Sequence, residues 1–529
     1  MPESQISFDE PYWENFSVQA QDLEFISNHL LEIETPLGPA ELAVQLIAER
    51  MRREKEDLQR QRAEGGRVYL PKGKYKAEER LVFPSLNWQP GVVQAVRPAK
   101  TLNGDNFEVI EVRLQDGNSR QFAAGLEQHV LNDPPAEDEG EAQQSPEGIL
   151  EGHGELIIEL LDEALQKNAD FVYIAGRWFP KALIVDVDEG QLNVAEALLD
   201  MAGGGPLPTD QLLGELELPG GINPKLANFS LDLSLQNDPR FDEVGPAGEV
   251  GWFLHRLEPE EVRQTPVYLR YQTIEHDRAN LTEEMLDLER QLDDELSPIQ
   301  GAETEVEKVE VRLIFPHWRA GTFPLTDTMA QLFPTAYESP RVRFNFVDGE
   351  SGQRFPGWVV RLERYVYGLG DWYRDKGLMP GGYVRARHGE NPGEVIVETD
   401  SHRSSKEWVR TALIGADGGV VYALLKQTVE TSFDERMMVY MPSETEALDT
   451  TWKRGSRPDL HQVVESALRE LAKLNPQGHV HAIELYSAVN VILRCPPAPI
   501  LALLASHPEF LHVGDLHFRL AETATDQGS

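Results

Sequence analysis

Two hairpins written in one frame constrain this chain more than any other feature. Pro239-Arg240-Phe241-Asp242-Glu243-Val244-Gly245 and Pro508-Glu509-Phe510-Leu511-His512-Val513-Gly514 share the pattern P-x-F-x-x-V-G. Each is followed by a short turn and an aromatic, apolar strand, Gly251-Trp252-Phe253-Leu254 in one and Leu516-His517-Phe518-Arg519-Leu520 in the other. Each is preceded by a helical run, KLANFSLDLSLQ or APILALLA. Helices that lead into a β wing give the order of a winged helix, whose third helix is the usual recognition element. A frame that recurs so far apart in one chain implies separate modules, and 529 residues provide room for several.

The punctuation between the two hairpins divides the rest, and the expected class is α+β multidomain. Residues 31–132 read as a helical segment plus a small antiparallel β unit. Leu42, Leu46, Ile47 and Met51 mark the helix, whose second half mixes Arg50, Arg52 and Arg53 with Glu49, Glu54 and Glu56 as a solvated, ion-paired face. GVVQAV, FEVIEVRL and RQFAAGL follow as strands, with turn signals at Asn103-Gly104-Asp105 and Gln115-Asp116-Gly117-Asn118. Residues 133–153 form an acidic, Pro/Gly-rich linker. A winged-helix-like unit spans 154–260, with FVYI, GRWFP and ALIVDVD as strand candidates. The connector 261–304 carries one acidic amphipathic helix, with Leu281, Met285, Leu288, Leu292 and Leu296 on its seam, expected to pack on its own neighbours. A pseudobarrel-like β domain spans 305–445 and a C-terminal winged helix 446–522.

The last unit runs through DLHQVVESALRELAKL, a short strand at His479-Val480-His481, AIELYSAVNVIL, a third helix after Pro497 and the wing. It resembles the HARE-type helix-turn-helix family, which includes the amino-terminal domain of the bacterial RNA polymerase delta subunit. The span 154–260 resembles it more loosely. The resemblance implies a transcription-associated role with RNA polymerase or another protein as partner. A recognition helix offers Arg, Lys, Asn or Gln to bases and phosphates; PPAPILALLASH offers none and the other copy mainly Asn223, Lys225, Asn228 and Gln236, so a protein-docking or purely structural use is expected of the last unit.

Against a formal charge of -40, residues 341–410 hold 12 Lys+Arg and 10 Asp+Glu, a basic island. The expected nucleic-acid-binding residues are Arg341, Arg343, Arg354, Arg361, Arg364, Arg374, Arg385 and Arg387 with Trp372 and Tyr373. Strand alternation sends the arginines of RVRF and YVRAR to one face, while the aromatic residues either join them or fill a core. FVDGESGQRFPGWVVRL and YGLGDWYRDKGLMPGGYVRAR, with Gly370, Trp372, Leu378 and Gly381-Gly382, resemble the DNA-binding pseudobarrel of plant auxin-response-type transcription factors and of the EcoRII effector domain. That resemblance implies the fold and favours DNA as the nucleic acid.

Nucleotide-binding, hydrolase and zincin motifs are missing, and no catalytic residue, cofactor or metal is expected. Asp186-Val187-Asp188-Glu189 reads as a turn and helix start before a cation site. His461, His479, His481, His507, His512 and His517 gather in the last unit without ligand spacing, and Glu398, Asp400 and Lys406 lack the second strand a nuclease-like cluster needs. A single Cys495 excludes a disulfide framework and points to a reducing, cytoplasmic setting. No leader or membrane span is legible. Two functions follow as expectations: a non-enzymatic DNA-transaction protein, or an acidic protein-protein scaffold without nucleic-acid contact.

Overall fold

The computed structural model describes residues 10–64, 66–83, 86, 89–100, 106–114, 117–132, 145–216, 221–298, 306–391, 393–415, 419–442, 446–453 and 458–521. The acidic stretch 133–144 and the turn signals at Asn103-Gly104-Asp105, Gln115-Asp116 and Ala416-Asp417-Gly418 lie outside these. The architecture is α+β, with 38% helix and 28% strand. The chain forms two units, Met1–Val185 with Gly221–Phe229, and Asp186–Gly220 with Ser230–Ser529.

The first unit opens with α1 (Glu10–Glu14), α2 (Ala20–Ile33) and α3 (Pro39–Glu64). A five-stranded meander follows, β1 (Arg67–Val68), β2 (Arg80–Phe83), β3 (Gln89–Lys100), β4 (Asn106–Leu114) and β5 (Ser119–Ala124), hydrogen-bonded in that order. Tyr69, Tyr75, Phe83, Val93, Ile110 and Val112 fill its core, as period-two burial requires. Then come α4 (Pro146–Gln166) and the hairpin β6 (Phe171–Ile174) and β7 (Arg177–Pro180). The expected linker therefore ends early. Ser145 Oγ accepts from the Gly148 N–H at 3.1 Å and Pro146 takes the first turn, so 145–153 belongs to a capped helix.

The second unit begins with α5 (Glu189–Met201), α6 (Thr209–Leu213), α7 (Pro224–Gln236), whose first six residues belong to the first unit, and the hairpin β8 (Phe241–Glu243) and β9 (Trp252–Leu254). ALIVDVD is not a strand: after β7 comes a 3-10 turn, and Asp188 caps α5 by accepting from Gln191 N–H at 2.9 Å. After α8 (Glu260–Arg263), α9 (Glu283–Leu292) is the expected amphipathic connector, with Met285 and Leu288 buried in the unit's largest core.

The β region comprises β10 (Lys308–Arg312), α10 (Phe315–Ala320), β11 (Thr322–Pro324), α11 (Asp327–Ala330), β12 (Arg341–Asp348), β13 (Arg354–Val360), β14 (Tyr365–Tyr367), α12 (Gly370–Asp375), β15 (Tyr383–His388) and β16 (Glu394–Glu398). Its seven strands form a curled half-barrel in the order β10-β15-β16-β12-β13-β14-β11, antiparallel except for β12 beside β16. The hairpin β17 (Ser401–Ile414) and β18 (Val420–Thr431) forms its own two-stranded sheet. The chain then adds α13 (Glu446–Lys453), α14 (Leu460–Ala472), β19 (Val480–His481), α15 (Ala482–Ile492), α16 (Pro497–Ser506), β20 (Phe510–Gly514) and β21 (His517–Leu520).

These elements contain three winged-helix arrangements where the sequence suggested two. In the last, β19 pairs with β21 through Val480↔Phe518. The same step recurs as the isolated bridges Leu207↔Trp252, between α5 and α6, and Leu37↔Trp178, between α2 and α3. The order helix, short extended step, helix, helix, hairpin is common to all three. The expected unit 154–260 thus joins the end of one copy to the whole of another. The five-stranded meander, inserted between the second and third helices of the first copy, hides that copy from a linear reading.

Candidate nucleic-acid interface

The arginines of the half-barrel are placed by alternation. On β12, Val342, Phe344 and Phe346 are buried, which sends Arg341 and Arg343 to the other face; on β15, buried Val384 and Ala386 do the same for Arg385 and Arg387. Neighbouring strands supply carboxylates on that face. Arg385 donates to Asp400 Oδ1 and Oδ2 at 2.5 and 2.6 Å and to Glu310 Oε2 at 2.6 Å. Those bonds hold the Asp400 carboxyl below its usual range. Arg387 bonds Glu398 at 3.0 Å, with Lys308 at 3.4 Å on the same carboxylate.

The other candidates are engaged as well. Arg341 Nη1 lies 2.5 Å from Asp242 and 3.3 Å from Glu258. Arg343 is half-buried, its guanidinium 5.8 Å from the Phe253 ring and 5.7 Å from that of Trp358, and desolvation lowers its affinity for the proton. Arg361 donates to the Ser339 carbonyl at 2.8 Å, and Arg364 pairs with Asp327 at 2.7 Å. Arg354 pairs with Glu394 at 2.7 Å and Arg374 with Asp371 at 2.9 Å. The last two are mostly exposed, and such pairs contribute little and open readily.

Trp372 and Tyr373 correct the expectation most sharply. Both sit on α12 inside the half-barrel core, 6% and 1% exposed, and the Tyr373 hydroxyl donates to the Thr322 carbonyl at 2.8 Å. Neither ring face is available to a base. Their i,i+1 placement on a short helix is satisfied because a curled sheet can cover both rings.

Among the described residues, one set of His, Cys, Asp and Glu side chains converges closely enough to hold a metal: Asp242, His255 and Glu258, with ligand atoms within 4.8 Å of one another. The guanidinium of Arg341 already holds the same Asp242 and Glu258 oxygens, so a cation stands where a metal would bind. Glu258 is fully enclosed; burial and then the Asp242 charge push its carboxyl up to about 8. No sequence motif announced this group, because the wing strand β8 supplies Asp242 and the 3-10 turn after β9 supplies His255 and Glu258. Glu398 and Asp400 face Arg387, Lys308 and Arg385, while Lys406 lies on β17. The rings of His479 and His481 both approach His517, at 4.8 and 4.9 Å, but His481 Nδ1 accepts from the Ile483 N–H and caps α15.

The three third helices differ in what they offer. On α4, Glu147, Glu151, Glu155, Glu159 and Glu163 recur at every fourth residue and all are exposed. On α7, Lys225 is the single Lys or Arg. On α16, Pro497, Ala498, Pro499, Ile500, Leu501, Ala502 and Leu504 are buried. The signal for the first copy was present in Pro36-Leu37 followed by Leu42, which matches Pro206-Leu207 followed by Leu212. No protein-family model, curated protein or solved structure matches the chain.

Proposed function

We propose that this protein is a non-enzymatic docking scaffold whose winged-helix units engage protein partners, and that the helix α4 receives a basic one. The observation that carries this reading is the row of five exposed glutamates along α4, the helix that a DNA-reading winged helix would line with cations. Like charges at i,i+4 oppose the helix they sit on, so the row acts against folding and is explained by a partner that neutralises it. Docking onto RNA polymerase or a similar assembly is one instance of the scheme; it asks of the partner only a basic face. The ion pairs of Arg341, Arg385 and Arg387 support the same direction, since they engage the half-barrel's cations with carboxylates of their own chain.

The test is binding of the full chain to a lysine- and arginine-rich polypeptide across a salt series. Glu151→Gln/Glu155→Gln/Glu159→Gln lowers the affinity more than tenfold. Glu189→Gln/Glu215→Gln/Glu284→Gln, equally exposed and removing the same charge elsewhere, changes it less than twofold. Equal losses from both sets would mean that net charge alone attracts the polypeptide, and the reading fails.

A further inference from the structure

One cationic surface escapes the pairing that engages the half-barrel. In the β17–β18 hairpin the register sets Lys406 opposite Thr428, Trp408 opposite Lys426, Arg410 opposite Leu424 and Ala412 opposite Tyr422, all on one face. Half of that face is closed by the last winged-helix unit. The Tyr422 hydroxyl donates to the Ala488 carbonyl at 3.1 Å, and Arg410 bonds Glu484 at 2.5 Å. The reverse face is closed by Val409 and Val429 against Met438.

The remaining half-face is open. Trp408 is 68% exposed and Leu424 47%, and Lys406 and Lys426 are exposed beside them. Among the described residues, neither lysine has a carboxylate partner and the Trp408 indole meets no other ring. Arg403 extends the same exposed, unpaired stretch of β17. An uncovered tryptophan of this exposure is unusual on a surface, and its cations are free, unlike those of the neighbouring sheet.

We propose that this half-face binds a single-stranded nucleic acid, with a base stacked on Trp408 and the flanking phosphates held by Lys406 and Lys426. Lys406 and Trp408 are two residues apart on one strand, about 7 Å, and Lys426 faces Trp408 directly across the ladder, so ring and cations are presented together. An exposed ring with cations on the same strand face is the combination that captures single strands without sequence preference. A duplex hides its base faces, and an acidic peptide would use the lysines while leaving the ring without a role. The acidity of the rest of the chain is screened beyond about 8 Å at physiological salt, so a local contact survives it. This inference stands apart from the glutamate row of α4 and fails or holds independently of it.

The experiment is anisotropy of fluorescein-labelled oligo(dT) titrated with the full chain across a salt series, with duplex DNA and poly-L-glutamate as competitors. Oligo(dT) binds, and neither competitor displaces it at equal charge. Trp408→Leu weakens binding roughly five- to a hundredfold, the range for one base stack. Lys406→Gln/Lys426→Gln lowers the salt slope by about 1.4, from about 0.7 per phosphate contact. Arg385→Gln, on the paired sheet, leaves affinity and slope unchanged. The inference is overturned by an unchanged affinity in Trp408→Leu, by displacement with poly-L-glutamate or duplex, or by no binding at the lowest salt. Because these side chains point into solvent, matching far-ultraviolet circular dichroism of each variant separates a lost contact from a lost fold.

Discussion

The third helices of the first and last winged-helix copies occupy the same place in the same topology and present opposite surfaces. On α4 the exposed side is a row of glutamates; on α16 seven of ten residues are buried and apolar. The copies share what the fold needs, a helix trio closed by a hairpin whose second strand pairs with a short extended step. They differ in what the third helix meets. In the last copy, α9 and its following turn cover α16, held by Arg494, which donates to Asp294 at 2.6 and 2.9 Å and to Glu295 at 2.7 Å. The architecture is thus indifferent to the recognition face, and each face records its own use.

Breaking that clamp gives the largest expected effect. Arg494 is fully enclosed with two carboxylates, and Tyr486 donates to the same Asp294 at 2.6 Å. Arg494→Ala leaves the buried Asp294 carboxylate without a counterion and is expected to cost about 3–5 kcal/mol. Chemical denaturation of the full chain measures it, and binding of a hydrophobic dye reports whether α16 has become exposed. A loss below about 1 kcal/mol would mean that α16 is held by apolar packing alone.

The wings sharpen the comparison at the next level. Trp252 Nε1 donates to buried Asp232 at 2.9 Å and approaches Thr209 at 3.1 Å, Trp178 Nε1 donates to half-buried Asp162 at 2.7 Å, and Phe518 occupies the matching place in the last copy. Trp252→Phe leaves a buried carboxyl short of a donor and costs about 1–3 kcal/mol, while Trp178→Phe leaves one that water reaches and costs about 0.5–1 kcal/mol. Equal losses would show that indole packing, not the hydrogen bond, sets the value.

An effect confined to one pH range belongs to the joint where the second wing meets the half-barrel. The Glu258 carboxyl is raised from 4.5 to about 8, by burial first and then by Asp242. The folded chain therefore keeps a proton that the unfolded chain releases between those values. Stability tied to this group is fully present below about 4.5 and is lost as pH rises through about 8. Glu258→Gln, neutral throughout, is expected to gain on the parent protein steadily from acid to alkaline conditions. Denaturation midpoints across that range check it, and parallel curves would mean that Arg341 holds the carboxylate ionised.

The sequence made periodic elements legible and left long-range pairing hidden. The amphipathic seam of α9, the strands of the meander and the outward arginines of β12 and β15 all follow from spacing within one element. What neutralises those arginines does not: Arg341 meets Asp242 and Arg385 meets Glu310, and no local pattern links residues so distant. Trp372 and Tyr373 were ambiguous because an aromatic residue near arginines serves a core and a ligand surface equally well until the sheet's curl is known. The helices α1 and α2 are masked by the acidic and polar residues between their apolar positions, although Trp13, Phe16, Ile26 and Leu30 are core residues.

The smallest effect separates folding from use on α4 itself. Replacing Glu151, Glu155 and Glu159 with Gln removes every i,i+4 repulsion along the row, each opposing the helix by about 0.2–0.5 kcal/mol. Helix propensity is nearly unchanged between Glu and Gln, so the relief is not offset. Partial screening of exposed charges leaves an expected gain of ~0.5–1 kcal/mol, visible as a higher thermal midpoint and largest at low salt. The same triple variant is expected to lose its basic partner. A surface that grows more stable as it stops binding is one shaped by its ligand rather than by the fold, whereas no such exchange is available on α16, where every truncation removes packing. If the triple variant is instead less stable, the glutamates hold α4 through contacts within the chain, and the contrast between the two helices reduces to two ways of packing one fold.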